Sequence, residues 1–476
     1  MDILFSAERK AVLVRPKQEG IMGMRKKMTA WVMIVVVTSF AGAARGADIY
    51  VSPAGGSDGT AADKPTDLQS ALNTAAGNGN EGDTIYLQQG TYMGNFSYLP
   101  ATADNNGDLA ILGGWSSDFS TRTVDPANTI LDGSNVDRVL TLNVNPNDNF
   151  TCPTSGDITV EGITVRNGRA RVGAGILAYT QAPGLVRLEH NILENNTALG
   201  TDGGVGGGCT LGCLNMADAA GVDIRLTNNI LRHNSAQGDE EENGEGEGGG
   251  CVILSSGTTW IVNNLIHNNS AGTDNIAYGL GGGIVLDMYA GDAYVINNSI
   301  VENIVHARPG STDGIGGGIL VETDEEDAWA DSNVHLYNNI IYHNTCAAPY
   351  GAGDIANNIA GSGPNAGTLV VSHTNYGSYG TNAGAVAPQL TNNIHADPVF
   401  SRSDESLFYL TSRSPCVDAG DNDAPYLPSL DLAGQNRIQD GNDDNTAVVN
   451  MGCYEEVLPG SFSWHMFLPA IESNAR

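Results

Sequence analysis

The chain has 476 residues, 61 of them glycine and only 6% aromatic, and its 54 acidic side chains against 22 lysines and arginines give a formal net charge of −32. A surface this acidic repels nucleic acid and anionic membranes and leaves cations or neutral molecules as partners. Abundant glycine with few lysines suits a β-solenoid, whose turns recur at every rung around a long, thin core.

Residues 1–47 read as a leader and signal peptide. Arg25, Lys26 and Lys27 precede the apolar run Trp31 to Val37, and the small residues between Ala41 and Ala47 offer cleavage points such as Ala41-Gly42-Ala43. The run is short for a membrane span. The mature chain is therefore expected to be extracellular, secreted or attached to the cell surface, and without a span; an uncleaved anchor is the alternative. Met22 and Met24 are alternative starts. Cleavage before Asp48 removes eight basic and three acidic residues, so the mature chain is more acidic still.

Residues 48–398 are expected to form the solenoid with its N-terminal cap, 399–457 a closing segment, and 458–476 an apolar tail. Thr66-Asp67-Leu68-Gln69 ahead of Ala71, Leu72, Ala75 and Ala76 reads as a capping box that starts a short helix. Such a helix would cover the exposed edge of the first rung.

The middle of the chain repeats one phrase five times. Glycine clusters end at Gly175, Gly208, Gly250, Gly283 and Gly318, each followed by a short apolar strand and then by an asparagine pair in a second strand. The anchor asparagines are Asn191, Asn229, Asn264, Asn298 and Asn339. Five residues after each stand Asn196, Asn234, Asn269, Asn303 and Asn344. A fixed period of this size means that each repeat is one rung of a solenoid, unable to bury its apolar face until a neighbour stacks on it. After the glycines, Ile176, Cys209, Cys251, Ile284 and Ile319, with Ala178, Leu211, Ile253, Leu286 and Val321 two positions on, read as inward strand positions. The other parity, beginning with Leu177, Thr210, Val252, Val285 and Leu320, reads as the solvent side. Leu188, Leu226, Ile261, Val295 and Leu336, three before the anchors, and Leu193, Leu231, Ile266, Ile300 and Ile341, two after them, are apolar in all five rungs. Rungs stack about 4.8 Å apart, so the asparagines are expected to form two ladders, each amide bonding its copies above and below. No helical pattern follows the glycine clusters, so they do not read as a nucleotide site.

On these rungs the chain resembles the secreted right-handed parallel β-helix proteins of the pectate-lyase-like superfamily, and among them the bacterial surface proteins of the choice-of-anchor Q type. The resemblance also rests on Ile49 to Asp58, Gly82 to Leu87, Gly90-Thr91-Tyr92 and Leu112 to Ser120 near the start. Near the end it rests on Asp397 to Phe400, Ser414 to Gly420 and Met451 to Glu455. It implies an all-β, right-handed parallel β-helix with a short N-terminal capping helix, and identifies no substrate. It also implies a disulfide between Cys416 and Cys453, because alanine is usual at both positions in the family's closing phrases and both are cysteine here. Of seven cysteines at least one stays unpaired if all bonds are internal. Cys209 and Cys251 share an inward column, Cys213 lies in the same strand as Cys209, and all three read as free buried thiols, while Cys152 and Cys346 have no assigned partner.

Asp418, Asp421 and Asp423, with Asp440, Asp443 and Asp444 in a second loop, offer hard oxygen ligands of the kind calcium takes. The competing reading for Asp418 is a turn cap. The acidic insertions 239–247 and 322–331 read as solvated loops. An outward strip with Arg232, His233, His267, Tyr342 and His343 resembles a sugar-binding ridge; the commoner reading of such a strip is a plain wet sheet face.

Lyases of the resembled family use a lysine or arginine base, yet the mature chain has one lysine, Lys64. Arg166, Arg169, Arg171, Arg187, Arg225 and Arg232 could line a groove for an anionic polymer. The Gly-His-Gly phrase of the related hydrolases is absent. The reading is a non-catalytic surface or secreted protein that binds an extracellular polysaccharide or cell-surface glycan. A polysaccharide lyase or glycoside hydrolase is the first alternative, and a structural spacer the second.

Overall fold

The computed structural model describes residues 46–77, 82–100, 107–145, 152–201, 203–213, 221–238, 245–274, 279–308, 314–323, 332–347, 352–359, 367–382, 384–401, 408–442, 444–455 and 457–458. The predicted leader, the tail and the greater part of both acidic insertions lie outside these residues.

The chain is a parallel β-helix. Three long sheets of eleven, nine and nine strands are parallel throughout, and a fourth of six short strands turns one corner. The rung beginning at Leu185 shows the path. Leu185–Glu189 lies in the first sheet, Ile192–Glu194 in the second, Thr197–Gly200 in the fourth, and Cys209–Gly212 in the third; the next rung then begins with Asp223–Thr227. The inward columns pair in register as their spacing predicts: Ile176 with Cys209, Cys209 with Cys251, Cys251 with Ile284 and Ile284 with Ile319. All are fully buried in one continuous core that also takes the second-element columns. Each such aliphatic side chain contributes about 1.5–3 kcal/mol by leaving water.

The asparagine pair does not sit inside one strand as the sequence suggests. It breaks the strand in two, because the residue just before each anchor is left-handed: His190, Asn228, Asn263, Asn297 and Asn338 have φ between 52° and 63°. A second left-handed column, Asn195, His233, Asn268, Glu302 and His343, precedes the other asparagines. Asparagine tolerates this conformation better than most side chains. Behind each bend the ladder runs through the wall. Asn264 Oδ1 accepts from both the backbone N and Nδ2 of Asn229, at 2.9 and 3.1 Å, while Asn264 donates in the same way to Asn298. Its Nδ2 also reaches the Leu226 carbonyl at 2.7 Å. The second ladder repeats this from Asn196 to Asn344 and ends on the Asp354 carboxylate.

The glycines between the bends are required by close approach. A Cβ on Gly250 would lie 2.5 Å from the Gly283 carbonyl oxygen of the next rung.

The helix spans Leu68–Gly77 and buries Leu68, Ala71, Leu72 and Ala75 in the main core. Its cap is Asp67, whose carboxylate accepts from the Ser70 N–H at 2.9 Å; Thr66 is held instead in a bridge to Val51. Gln69 covers the edge strand Phe96–Tyr98 by bonding both the N–H and the carbonyl of Ser97.

Two further expectations change. The outer face of the third sheet is not wet, for Leu177, Thr210, Val252, Val285 and Leu320 are buried there. All but Thr210 belong to a second apolar cluster, against which Val205 and Leu280 of a small three-stranded parallel sheet pack, with Ile315 bridged to Leu280. The disulfide joins Cys152 to Cys213, so Cys213 is not the free thiol that its place beside Cys209 suggests. Cys416 and Cys453 are buried free thiols. The Cys416 sulfur accepts from Asn375 Nδ2 at 3.0 Å, while the backbone of Cys453 is held by Ser299, two rungs away, so the predicted bridge is not formed.

Candidate functional site

The predicted sugar ridge lies on the outer face of the second sheet, and the chain after Ile394 folds back over it. Phe408, Leu410, Met451 and Tyr454 pack against Leu265, Val301 and Ile340 of that face. The left-handed asparagines are the docking points. Asn297 Nδ2 donates to the carbonyls of Asn450 and Gly452, and Asn338 exchanges bonds with the backbone of Asp421. Asn263 donates to the Leu430 carbonyl and accepts from the Arg437 guanidinium. Arg437 also pairs with Glu455 at 2.7 Å, both about 1% exposed. Burial pushes the Glu455 carboxyl up to about 8, against the opposing pull of Arg437.

This covering dismantles the ridge. His267 is 1% exposed, with its ring 5.0 Å from Phe408, and burial pushes its imidazole down to about 4. Arg232 is held by Glu194 at 2.7 Å. Tyr342 packs on the closing cluster and on His343, 4.8 Å between ring centres. His233 and His343 remain exposed at the bends, three rungs apart.

The calcium candidates do not converge. The Asp418 carboxylate accepts from the N–H groups of Gly441 and Asn442, Asp421 accepts from the Asp423 N–H, and Asp423 is exposed. Asp440 and Asp444 cap turns in their own loop. Asp443 lies outside the described residues. Among the described residues no three His, Cys, Asp or Glu side chains are arranged to hold a metal. The arginines are likewise divided: Arg166 pairs with Asp132 at 2.8 Å and Arg232 with Glu194 on the second sheet, whereas Arg187 and Arg225 belong to the first.

Among the described residues, a further set of polar and aromatic side chains reaches solvent on the outer face of the first sheet. Arg187, Arg225, Trp260, Tyr294 and His335 stand opposite one another in register, one per rung, all half-buried. The Arg225 guanidinium lies 4.5 Å over the Trp260 ring. Tyr294 and His335 stack with centres 5.0 Å apart and planes 11° apart. Tyr426 of the closing segment, 54% exposed, reaches over to Trp260 and Tyr294 at 5.9 and 4.6 Å.

At its Arg187 end this strip opens into a cleft of about 290 Å³ lined by Asp83, Asp108, Asp157, Thr159 and Arg187. Burial raises the Asp157 carboxyl above the usual range, with Asp108 and Asp223 adding to the shift and Arg187 opposing it. Another raised carboxyl, Glu247 at about 7 through burial beside Glu245 and Asp287, stands on the third-sheet side. The strip was legible in the sequence as the column four residues before each anchor, whose members change from arginine to aromatic along the chain. Its chemistry is uneven, so the apolar column beside it masked it.

No family model matches the chain, and neither does any curated protein. Among solved structures it is similar to Escherichia coli YbhC, at 13% identity and a TM-score of 0.25, over 77% of this chain and 81% of that one. It is also similar to the rice weevil pectin methyl esterase, at 13% identity and a TM-score of 0.25, over 69% and 85%. A third similarity is to the PL6 family alginate lyase AlyGC, at 13% identity and a TM-score of 0.20, over 81% of this chain and 60% of that one. At such scores the description of the fold rests on this chain's own strand pairing.

Proposed function

We propose that the protein is an exported glycan-binding β-helix of the choice-of-anchor Q type, which holds an extracellular polysaccharide along the outer face of its first sheet. The observation that carries this reading is the in-register strip from Arg187 to His335. Rings present flat apolar surface to the face of a pyranose, and guanidinium and carboxylate groups bond its hydroxyls. The rung repeat of about 4.8 Å is close to the length of one sugar unit, so successive side chains meet successive sugars. The acidic surface favours a neutral polymer. The Cys152–Cys213 disulfide supports an oxidising, extracytoplasmic setting. In this reading residues 48–398 form the binding body, and 399–457 shield the second sheet.

A hydrolase is the second reading, favoured by the raised Asp157 carboxyl beside Asp108 and Arg187 in the cleft. Retention of the secreted protein on a panel of immobilised neutral and uronate-containing polysaccharides, with assay of released ends, separates the two. Retention without products supports binding; products direct attention to Asp157; neither retention nor products overturns both.

A further inference from the structure

Two cysteines on neighbouring rungs remain outside that reading. Cys209 and Cys251 pair directly in the third sheet, both fully buried, with their sulfurs 2.7 Å apart. Unbonded heavy atoms rest at roughly 3.5–4.0 Å, so two separate thiols are crowded at this site. In-register parallel neighbours place their Cα atoms about 4.8 Å apart, within the span of roughly 4.4–6.8 Å that a disulfide bridges. Two thiolates around a zinc ion, each at about 2.3 Å in a tetrahedral arrangement, would hold their sulfurs farther apart than this.

We propose that Cys209 and Cys251 are joined by a second disulfide in the exported protein. Each thiol gives up its proton, the sulfur–sulfur bond forms, and the electron pair passes to a disulfide-bearing oxidant, small or protein, which leaves as two thiols. Because both sulfurs are fully buried once the rungs stack, the exchange takes place while these strands are still open, and the finished bond is shielded from reductant in the native state. Cys213, already bonded to Cys152, follows the same strand as Cys209. The two bridges therefore staple one wall of the helix across successive rungs.

The test is the thiol count of the full chain, exported through its own leader, denatured and alkylated without reductant. Five cysteines are free when only Cys152 and Cys213 are bonded. The expected count is three. A non-reduced tryptic digest is expected to hold together the three peptides bearing Cys152, Cys209 with Cys213, and Cys251, with fragmentation assigning Cys209 to Cys251. A count of five overturns the proposal, as does a count of three with any other pairing. The Cys209→Ala variant gives a readout of opposite sign: losing one cysteine raises the count from three to four if the bridge exists, and lowers it from five to four if it does not.

Discussion

The rungs and the segment after Ile394 are held by opposite strategies. In the rungs the same bond recurs at every level, Asn229 to Asn264 to Asn298 to Asn339, so each asparagine is satisfied by copies of itself. The closing segment is held by contacts that occur once: Arg437 with Glu455, Asn297 with Gly452, Phe408 on His267. Repetition gives a wall whose every level depends on its neighbours. A single lock gives a segment with its own, lesser stability, placed where the wall's outer face would otherwise be apolar. The buried pair Arg437–Glu455 fits this contrast, since such pairs fix geometry more than they add stability.

The largest expected effect separates the two strategies. Asn264→Leu leaves the buried Asn229 N–H without its acceptor and the Asn229 amide with only the Leu188 and Thr227 carbonyls, and is expected to cost about 3–5 kcal/mol in denaturant unfolding. A cost under about 1 kcal/mol would mean that the ladder is not what holds the wall.

Acid is expected to act where Phe408 covers His267, while the raised Glu455 carboxyl of the same segment opposes it at higher pH. Burial favours neutral His267 in the folded state, so its contribution is complete above the unfolded value of about 6.5 and is lost as the pH falls towards about 4, up to about 3 kcal/mol in all. Hydrogen exchange around Phe408 should accelerate between pH 6.5 and 5 while the ladder amides stay protected, and His267→Phe should flatten that dependence. Equal acceleration in both regions would show that the segment and the wall open together.

The smallest effect concerns the open face. Arg225→Ala removes the guanidinium over Trp260 and is expected to lower stability by only about 1 kcal/mol, while weakening retention on a polysaccharide if the proposed binding holds. A loss of stability as large as that of the ladder variant would make the strip a structural stack.

The periodicity of the inward columns was enough to give the parallel β-helix and both ladders, because a buried column demands the same chemistry at every rung. What lies outside the wall obeys no such demand. The residue before each anchor carried no signal of its own, yet Asn263, Asn297 and Asn338 are left-handed there and dock the closing segment. His267 read as an exposed ligand group because nothing in its own rung shows that Phe408, 141 positions later, covers it. The Cys152–Cys213 pair, 61 residues apart, left no spacing signal.

The most direct test compares the two faces in one binding assay on the polysaccharide that retains the wild type. Losing two ring contacts from the first sheet in Trp260→Ala/Tyr294→Ala should weaken binding roughly tenfold or more, about 1.4 kcal/mol, whereas His233→Ala/His343→Ala at the bends of the second should leave it unchanged. Intact binding in the first variant with loss in the second would contradict the account and return the site to the bends.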